Sequence, residues 1–242
     1  MAVERAASGR ISGDKANYVR EMFAGIAHRY DLLNSLLSFS RHRAWRRQAV
    51  RLARLRPGDS ALDVCTGTGD FALDLRAAVG ASGLVAGADF CEPMVRIGQR
   101  KAAGLRTAIH FALGDALRLP YRSGAFHAVT VGFGIRNVAD VQAAFAEMAR
   151  VARPGGRVIC LEFSEPEHWF WRPLVRFYEH KVLPRVGALL SRAEAYRYLP
   201  DSISEFDGRE ALARKMEAAG LRDIAIHSLN FGSVCIHVGV KP

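Results

Sequence analysis

No stretch of the 242-residue chain reaches the roughly 18 consecutive apolar residues needed to cross a bilayer, so no segment reads as membrane-spanning. Met1 to Arg10 holds no apolar core of the kind a secretory leader needs, and the chain reads as cytoplasmic. Cysteine is sparse: Cys65, Cys91, Cys160 and Cys235 stand apart, each in or beside an apolar strand, with no Cys-x-x-Cys spacing. That excludes a zinc ribbon or a dithiol redox motif and fits buried, reduced thiols, with no metal site expected. Acidic residues are outnumbered, 24 Asp and Glu against 34 Lys and Arg, for a formal net charge of +10. An excess of this size suits nucleic acid, an anionic membrane surface or a phosphorylated ligand, and by itself it chooses none of them.

A third glycine is also missing where it would matter. Ala61-Leu-Asp-Val64 reads as a short buried strand, Gly67 and Gly69 follow, and Phe71 to Leu75 reads as the first turns of a helix. Strand, glycine turn and helix make the phosphate-loop half of a nucleotide-binding unit. A dinucleotide fingerprint would continue to a third glycine, and Asp70 stands there instead. An acid at a helix start is a poor host for pyrophosphate. With Asp63 at the strand end, the loop suits a cationic ligand better, and S-adenosylmethionine carries both a sulfonium and an ammonium. Asp63, Gly67 and Gly69 are therefore candidate cofactor residues. A second apolar strand, Leu84 to Asp89, ends in an acid twenty positions beyond Gly69. At that spacing an Asp meets ribose hydroxyls, although Asp89 could also merely cap the helix that Glu92-Pro93 opens.

The rest of the chain alternates. Strands are expected at about 60–65, 84–89, 107–113, 126–133 and 157–164, and helices at about 69–79, 92–103, 140–152 and 209–219. This is the pattern of a parallel sheet covered on both faces. Leu221 to Leu229 and Phe231 to Val240 read as a closing hairpin with its turn near Asn230, which sets one strand antiparallel. The expected fold class is α/β, a Rossmann-like class I methyltransferase sheet rather than a dehydrogenase sheet. Residues 1–57 read as an N-terminal helical cap and 58–242 as the main domain, interrupted by a helical insertion at about 165–207. Seven arginines fall between Arg41 and Arg56, and Trp169 to Leu190 is amphipathic, basic and aromatic. Such stretches pack on a core, close over an apolar ligand or touch a membrane.

Beyond the third strand, Gly114-Asp-Ala116 could accept from an adenine amino group or form a plain Asp turn. Beyond the fourth, Gly132-Phe-Gly-Ile-Arg-Asn-Val138 sets Arg136 and Asn137 at the carboxyl end of a strand, where open α/β sheets bind ligands.

Taken together these stretches resemble the ubiquinone/menaquinone biosynthesis C-methyltransferases, which act on prenylated quinols. The resemblance rests on Tyr30-Asp31 with Asn34 and Ser38, Trp45, Leu62-Asp-Val64, Gly67-Thr-Gly-Asp70, Asp89 and Phe133-Gly-Ile-Arg-Asn-Val138. It continues through Arg150 to Gly156, Glu162-Phe-Ser164, Tyr196, Tyr198-Leu-Pro200, Ser202-Ile203 and Ile236-His-Val-Gly239, and spans about residues 18 to 242. Thr66 stands where family members often carry Cys or Gly, and Gly132 where a Ser frequently precedes Phe-Gly. Asn is common at the position of Asp115. The resemblance implies S-adenosyl-L-methionine as cofactor, with contacts at Thr68, Asp89, Asp115 and Ala116. It implies demethylmenaquinol as substrate, with a methoxy-benzoquinol of ubiquinone biosynthesis as the alternative.

An electron-rich quinol carbon can attack a methyl sulfonium, whereas an oxidised quinone cannot. Arg136 is the residue expected to stabilise the ring oxygen, or to hold a water that takes its proton, with Asn137 orienting it. Tyr30, Asp31 and Tyr196 are expected to line the ring pocket. An RNA base methyltransferase would suit the charge, but amino-N-methylating enzymes usually carry Asn/Asp-Pro-Pro-Tyr/Phe where this chain has Phe133 to Asn137, so nucleic acid is not expected. A peripheral contact at the inner face of the membrane and a homo-oligomer remain open from sequence.

Overall fold

The computed structural model describes residues 15–166, 169–171, 202–203 and 206–242. Its frame is a seven-stranded sheet in the order β3-β2-β1-β4-β5-β7-β6. The strands are β1 Ser60–Val64, β2 Leu84–Asp89, β3 His110–Leu113, β4 Phe126–Gly132, β5 Ala152–Phe163, β6 Arg222–Leu229 and β7 Val234–Val240. β1 pairs in parallel with β2 and β4, β2 with β3, and β4 with β5. Only β7 runs against its neighbours, between β5 and β6. The terminal hairpin is therefore as the sequence indicates, turning at Asn230–Gly232, where Asn230 and Phe231 adopt φ of 48° and 59°.

The sheet is buried on both sides because neighbouring residues of one strand feed different cores. Leu62, Val129 and Cys160 join Phe145, Met148, Leu212 and Met216 on one face. Ala61, Ala128 and Ile159 join Ala49, Phe71, Leu75 and Val79 on the other. This period-2 division is the expected signature of a central strand. Helix α3 (Arg41–Leu52) and α4 (Asp70–Val79) cover the second face, and α6 (Val141–Val151) and α7 (Arg209–Ala218) the first. α5 (Glu92–Gly104) lies along β2 and β3. Ahead of the sheet, α1 over 15–26 and α2 (Tyr30–Leu37) close over the first loop, with Phe23 and Ala27 packed against Met94 of α5.

Local chemistry sets the ends. Asp140 caps α6 by accepting from the Ala143 N–H at 2.9 Å. Pro93 opens α5, and Gly69 precedes α4 at φ 81°. Two boundaries differ from the sequence expectation. β3 begins at His110 rather than 107, because the Thr107 N–H still donates to Ala102 O and closes α5. β5 begins at Ala152 rather than 157, because the Pro-Gly-Gly segment stays in the sheet. There Gly155 N–H donates to Lys241 O, and Lys241 N–H to Gly156 O. Most of the expected insertion, including Leu174, Arg176, Leu190, Tyr196 and Tyr198, lies outside the described residues. Trp169–Trp171 form one short 3-10 turn within it.

Candidate active site

Strand order reverses between β1 and β4, and the candidate residues gather at the carboxyl ends of these strands, as doubly wound sheets require. The loop after β1 is tight. Gly69 must be glycine twice over: its φ is positive, and a Cβ there would lie 2.8 Å from the Phe111 ring. Gly67 and Cys65 are the loop's half-buried positions, while Thr66 and Thr68 are buried.

Asp89 sits at the end of β2, 7% exposed. One carboxylate oxygen accepts from Gly67 N–H at 2.8 Å and the other from Cys91 N–H at 2.8 Å. The acid thus braces the glycine loop and the start of α5 together. A carboxylate has about four acceptor directions, so these two bonds leave room for ribose hydroxyls. Burial pushes its pKa up, and the backbone N–H groups of Cys91, Gly67 and Phe90 oppose that rise. Asp115 and Ala116 lie next to it, since Gly114 N–H donates to Asp89 O at 3.0 Å. Asp115 is exposed and accepts from Leu117 N–H at 2.9 Å, the plain Asp turn weighed from sequence, and its carboxylate stays open to solvent.

Two acids stand elsewhere than the sequence placed them. Asp63, read as a cofactor contact, is only 1% exposed and lies beneath the loop. Both its oxygens accept from hydroxyls, Thr66 Oγ1 at 2.6 Å and Thr130 Oγ1 at 2.8 Å. It shapes the loop rather than facing the cleft, because it still lies within β1, flanked by Gly87 of β2 and Thr130 of β4. Asp70, read as an acid aimed at a cationic ligand, is instead paired within the chain. Lys101 Nζ donates to it, and Arg46 Nη2 lies 3.2 Å from its other oxygen. Burial pushes its carboxyl up, but Arg46 and Lys101 outweigh that and hold it below the usual range.

Lys101 was not singled out from sequence, yet it ties three elements. It also donates to Asp31 at 2.8 Å, and Asp31 accepts from Thr68 Oγ1 at 2.5 Å. Asp31 therefore clamps α2 to the glycine loop, and Thr68 shows the cleft little but its backbone. Tyr30, one residue earlier, hangs over the loop, with its ring within 4.0 Å of where a Gly67 Cβ would stand. Burial raises the Tyr30 phenol, and the hydrogen bond from Asn34 and the Arg136 charge work against it.

Arg136 and Asn137 form a 3-10 turn just beyond β4. The backbone turns there because Gly134 passes against Cys65, where a Cβ would meet the Cys65 Cβ at 2.5 Å. Arg136 is 8% exposed and Glu162, on β5, is 1% exposed. Arg136 Nη1 donates to Glu162 Oε1 at 2.8 Å and to Phe133 O at 2.5 Å, and its guanidinium lies 5.4 Å from the Phe163 ring centre. Glu162 Oε2 and the Ser164 hydroxyl, two residues on and on the same strand face, are buried without a partner among the described residues. Burial pushes the Glu162 carboxyl up, and Arg136 opposes this first among its neighbours. Beyond Ser164 a cavity of about 690 Å³ opens, lined by Phe163, Ile203, Phe206 and Arg209 among others. Its other walls include Glu165, Asp207, Glu210 and Arg214, and unpartnered polar atoms beside such a mixed hollow mark a candidate ligand site.

The reversed strand order, the glycine loop braced by Asp89 and the closing antiparallel hairpin are those of a class I S-adenosylmethionine-dependent methyltransferase. The likeness to solved structures agrees on the fold. A SAM-dependent methyltransferase from Thermotoga maritima superposes with a TM-score of 0.64 at 19% identity, over 92% of this chain and 99% of its own. One from Aquifex aeolicus gives 0.62 at 19% identity, over 87% and 96%. The model of the ubiE/COQ5 methyltransferase family matches residues 11–241, and the chain belongs to that family. Curated relatives include the demethylmenaquinone methyltransferases of Bacillus mycoides, 40% identical, and Bacillus cytotoxicus, 41% identical. Each alignment covers 94% of this chain and 97% of the relative.

Asp63 gives a pH test of the loop. Burial first, against the hydroxyls of Thr66 and Thr130, raises its pKa to about 7 from an ordinary 3.8. A raised acid favours the folded state below its unfolded pKa, and that contribution is lost as pH climbs through the folded value. Asp63→Asn removes the titration and keeps the shape. Its melting temperature relative to the natural chain is expected to rise steadily between about pH 4 and pH 7. A difference that stays flat across that range would contradict the buried placement.

Proposed function

We propose that this chain transfers a methyl group from S-adenosylmethionine to a ring carbon of a prenylated demethylmenaquinol. The observation that carries the choice of a naphthoquinol is the near-full-length likeness to relatives bearing the demethylmenaquinone methyltransferase name. Gly67, Asp89, Asp115 and Ala116 would hold the cofactor, Asp89 at its ribose hydroxyls and Asp115 with Ala116 at its adenine. When bound it supplies an electrophilic methyl sulfonium.

The chain does the rest by placement. The ring carbon attacks best when a quinol hydroxyl is ionised to its phenolate-like form, and Arg136, on the turn after β4, is the cation that favours the negative charge on that oxygen. Glu162 holds that guanidinium in one orientation, so little reorganisation is needed as the charge forms. Asn137 flanks it, and Tyr30 with the N-terminal helical cap covers the loop and excludes water. The new carbon–carbon bond forms as the carbon–sulfur bond breaks, and the ring then sheds one proton to recover its aromaticity. A reduced acceptor should therefore be methylated, and the same compound held oxidised should not. Equal rates on both would defeat this reading.

A prenylated quinol resides in lipid, so the pocket must meet a membrane. We place that contact on exposed aromatics beside the cleft: Trp169 is 79% and Phe231 57% exposed, and Trp171 stacks on Phe231 at 4.5 Å. Arg41 Nη1 donates to Asn230 Oδ1 at 2.6 Å, which joins the start of α3 to this patch. Arg46 does not contribute, being held by Asp70 and Asp74, and Arg172, Arg176 and Arg185 lie outside the described residues. No described helix is long and apolar enough to cross a bilayer. Flotation with anionic liposomes is expected, and it should fall sharply in Trp169→Ala/Phe231→Ala. Binding that is absent, or indifferent to the substitutions, would remove the patch from the proposal.

A further inference from the structure

The end of the sheet away from the cleft carries a second hollow, of about 450 Å³, between the end of α3 and the starts of β1, β4 and β5. Four β1 steps of about 3.3 Å separate it from the glycine-loop end, on the order of 15 Å. Its walls hold Arg54, Arg56, Arg153 and Arg157 with Asp59 and His127. The one acid is already committed: Asp59 accepts from Arg56 N–H at 2.8 Å through one oxygen, and His127 Nε2 lies 3.0 Å from the other. The Ser60 backbone N–H donates to His127 Nδ1 at 3.1 Å, which leaves the imidazole proton on Nε2, facing Asp59.

The four guanidiniums have no such complement. Arg46, Arg96, Arg136 and Arg150 each pair with a carboxylate. Among the described residues, none of Arg54, Arg56, Arg153 and Arg157 does. Arg157 is fixed from behind by a 3.1 Å bond to Leu52 O, the last carbonyl of α3. Arg54 follows that helix end in the left-handed region, at φ 52°. Burial and then the Arg54 charge push the Arg157 guanidinium below its ordinary value, so the two stand close enough to repel. Four guanidiniums with planar donor forks around a hollow that holds a single carboxylate leave an excess of positive charge that matches a phosphate in sign.

We propose that this hollow is a phosphate-binding site, separate from the methyl-transfer cleft, that takes a multiply charged phosphate or phosphate ester through Arg54, Arg56, Arg153 and Arg157. A free polyphosphate and an anionic lipid headgroup present the same chemistry, and two probes separate them. The first is calorimetric titration of the full chain with pyrophosphate at constant ionic strength. The second is cosedimentation with vesicles of phosphatidylglycerol in phosphatidylcholine. The variant is Arg54→Ala/Arg153→Ala, two exposed side chains that make no hydrogen bond or ion pair among the described residues. Arg100→Ala/Arg106→Ala, on α5 and in the turn just beyond it, makes the same change in net charge elsewhere, and melting curves establish that both variants fold.

Saturable pyrophosphate binding that weakens about ten-fold in the first variant, the scale of one charge-assisted hydrogen bond, and is unchanged in the second supports a free phosphate ligand. Vesicle binding with the same dependence, and no saturable pyrophosphate binding, supports a headgroup. No binding in either experiment, or losses equal in both variants, would overturn the site and leave the arginines as diffuse surface charge. The methyl-transfer reading is untouched by any of these results, since none of the four arginines belongs to that cleft.

Discussion

Arg136→Ala is expected to remove most methyl transfer and to destabilise the fold at the same time. The substitution deletes the cation proposed to favour the ionised quinol oxygen, and in that role its loss lowers turnover on the order of 100-fold or more. It also strands Glu162, 1% exposed, with backbone N–H groups as its remaining described donors. Breaking a buried pair from one side costs about 3–5 kcal/mol, or about 10 °C in melting temperature for a chain of this size. The two losses can be separated. In Arg136→Ala/Glu162→Gln the orphaned charge is gone, so the melting temperature should largely return while turnover stays low. Burial already raises the Glu162 carboxyl, and without Arg136 nothing of comparable strength opposes it. The single variant's deficit should therefore shrink as pH falls and protonates Glu162, and be largest near neutrality. Cofactor affinity should hardly move. Normal turnover at saturating quinol would make Arg136 a structural residue.

The second large effect is expected at Asp89. Asp89→Ala should weaken S-adenosylmethionine binding by about 1–3 kcal/mol, roughly 5- to 150-fold, through lost ribose hydrogen bonds. It also leaves Gly67 N–H and Cys91 N–H without their acceptor, so the loop itself should loosen. Asp89→Asn keeps one acceptor oxygen and should fall between the two. Calorimetry showing unchanged affinity in a folded Asp89→Ala chain would contradict the placement.

Much of this site was legible from spacing within single segments. The glycine loop, the acid closing β2 and the Arg-Asn turn after β4 each declare themselves over a few residues, because strand ends and turns demand particular side chains. What spacing could not supply is register between strands. Arg136 and Glu162 meet because β4 pairs with β5 so that Gly132 lies opposite Leu161. Glu162 was visible within Glu-Phe-Ser, but its partner was not. Lys101 gave no signal, since a lysine on a helix is ordinary until Asp31, Thr68 and Asp70 are seen around it. Asp63 misled for the converse reason: an acid beside a glycine loop looks like a ligand group until its depth is known. Asp70 misled likewise, because the cations that neutralise it, Arg46 and Lys101, come from α3 and α5.

The most direct test of the central claim is to give the purified chain methyl-labelled S-adenosylmethionine and two reduced short-chain acceptors, a demethylmenaquinol and its methoxy-benzoquinol counterpart, and to locate the label in the product. The expected result is a single labelled methyl on a ring carbon of the naphthoquinol, with much slower transfer to the benzoquinol. Label on oxygen, or no transfer to either quinol by a chain that still binds the cofactor, would contradict it.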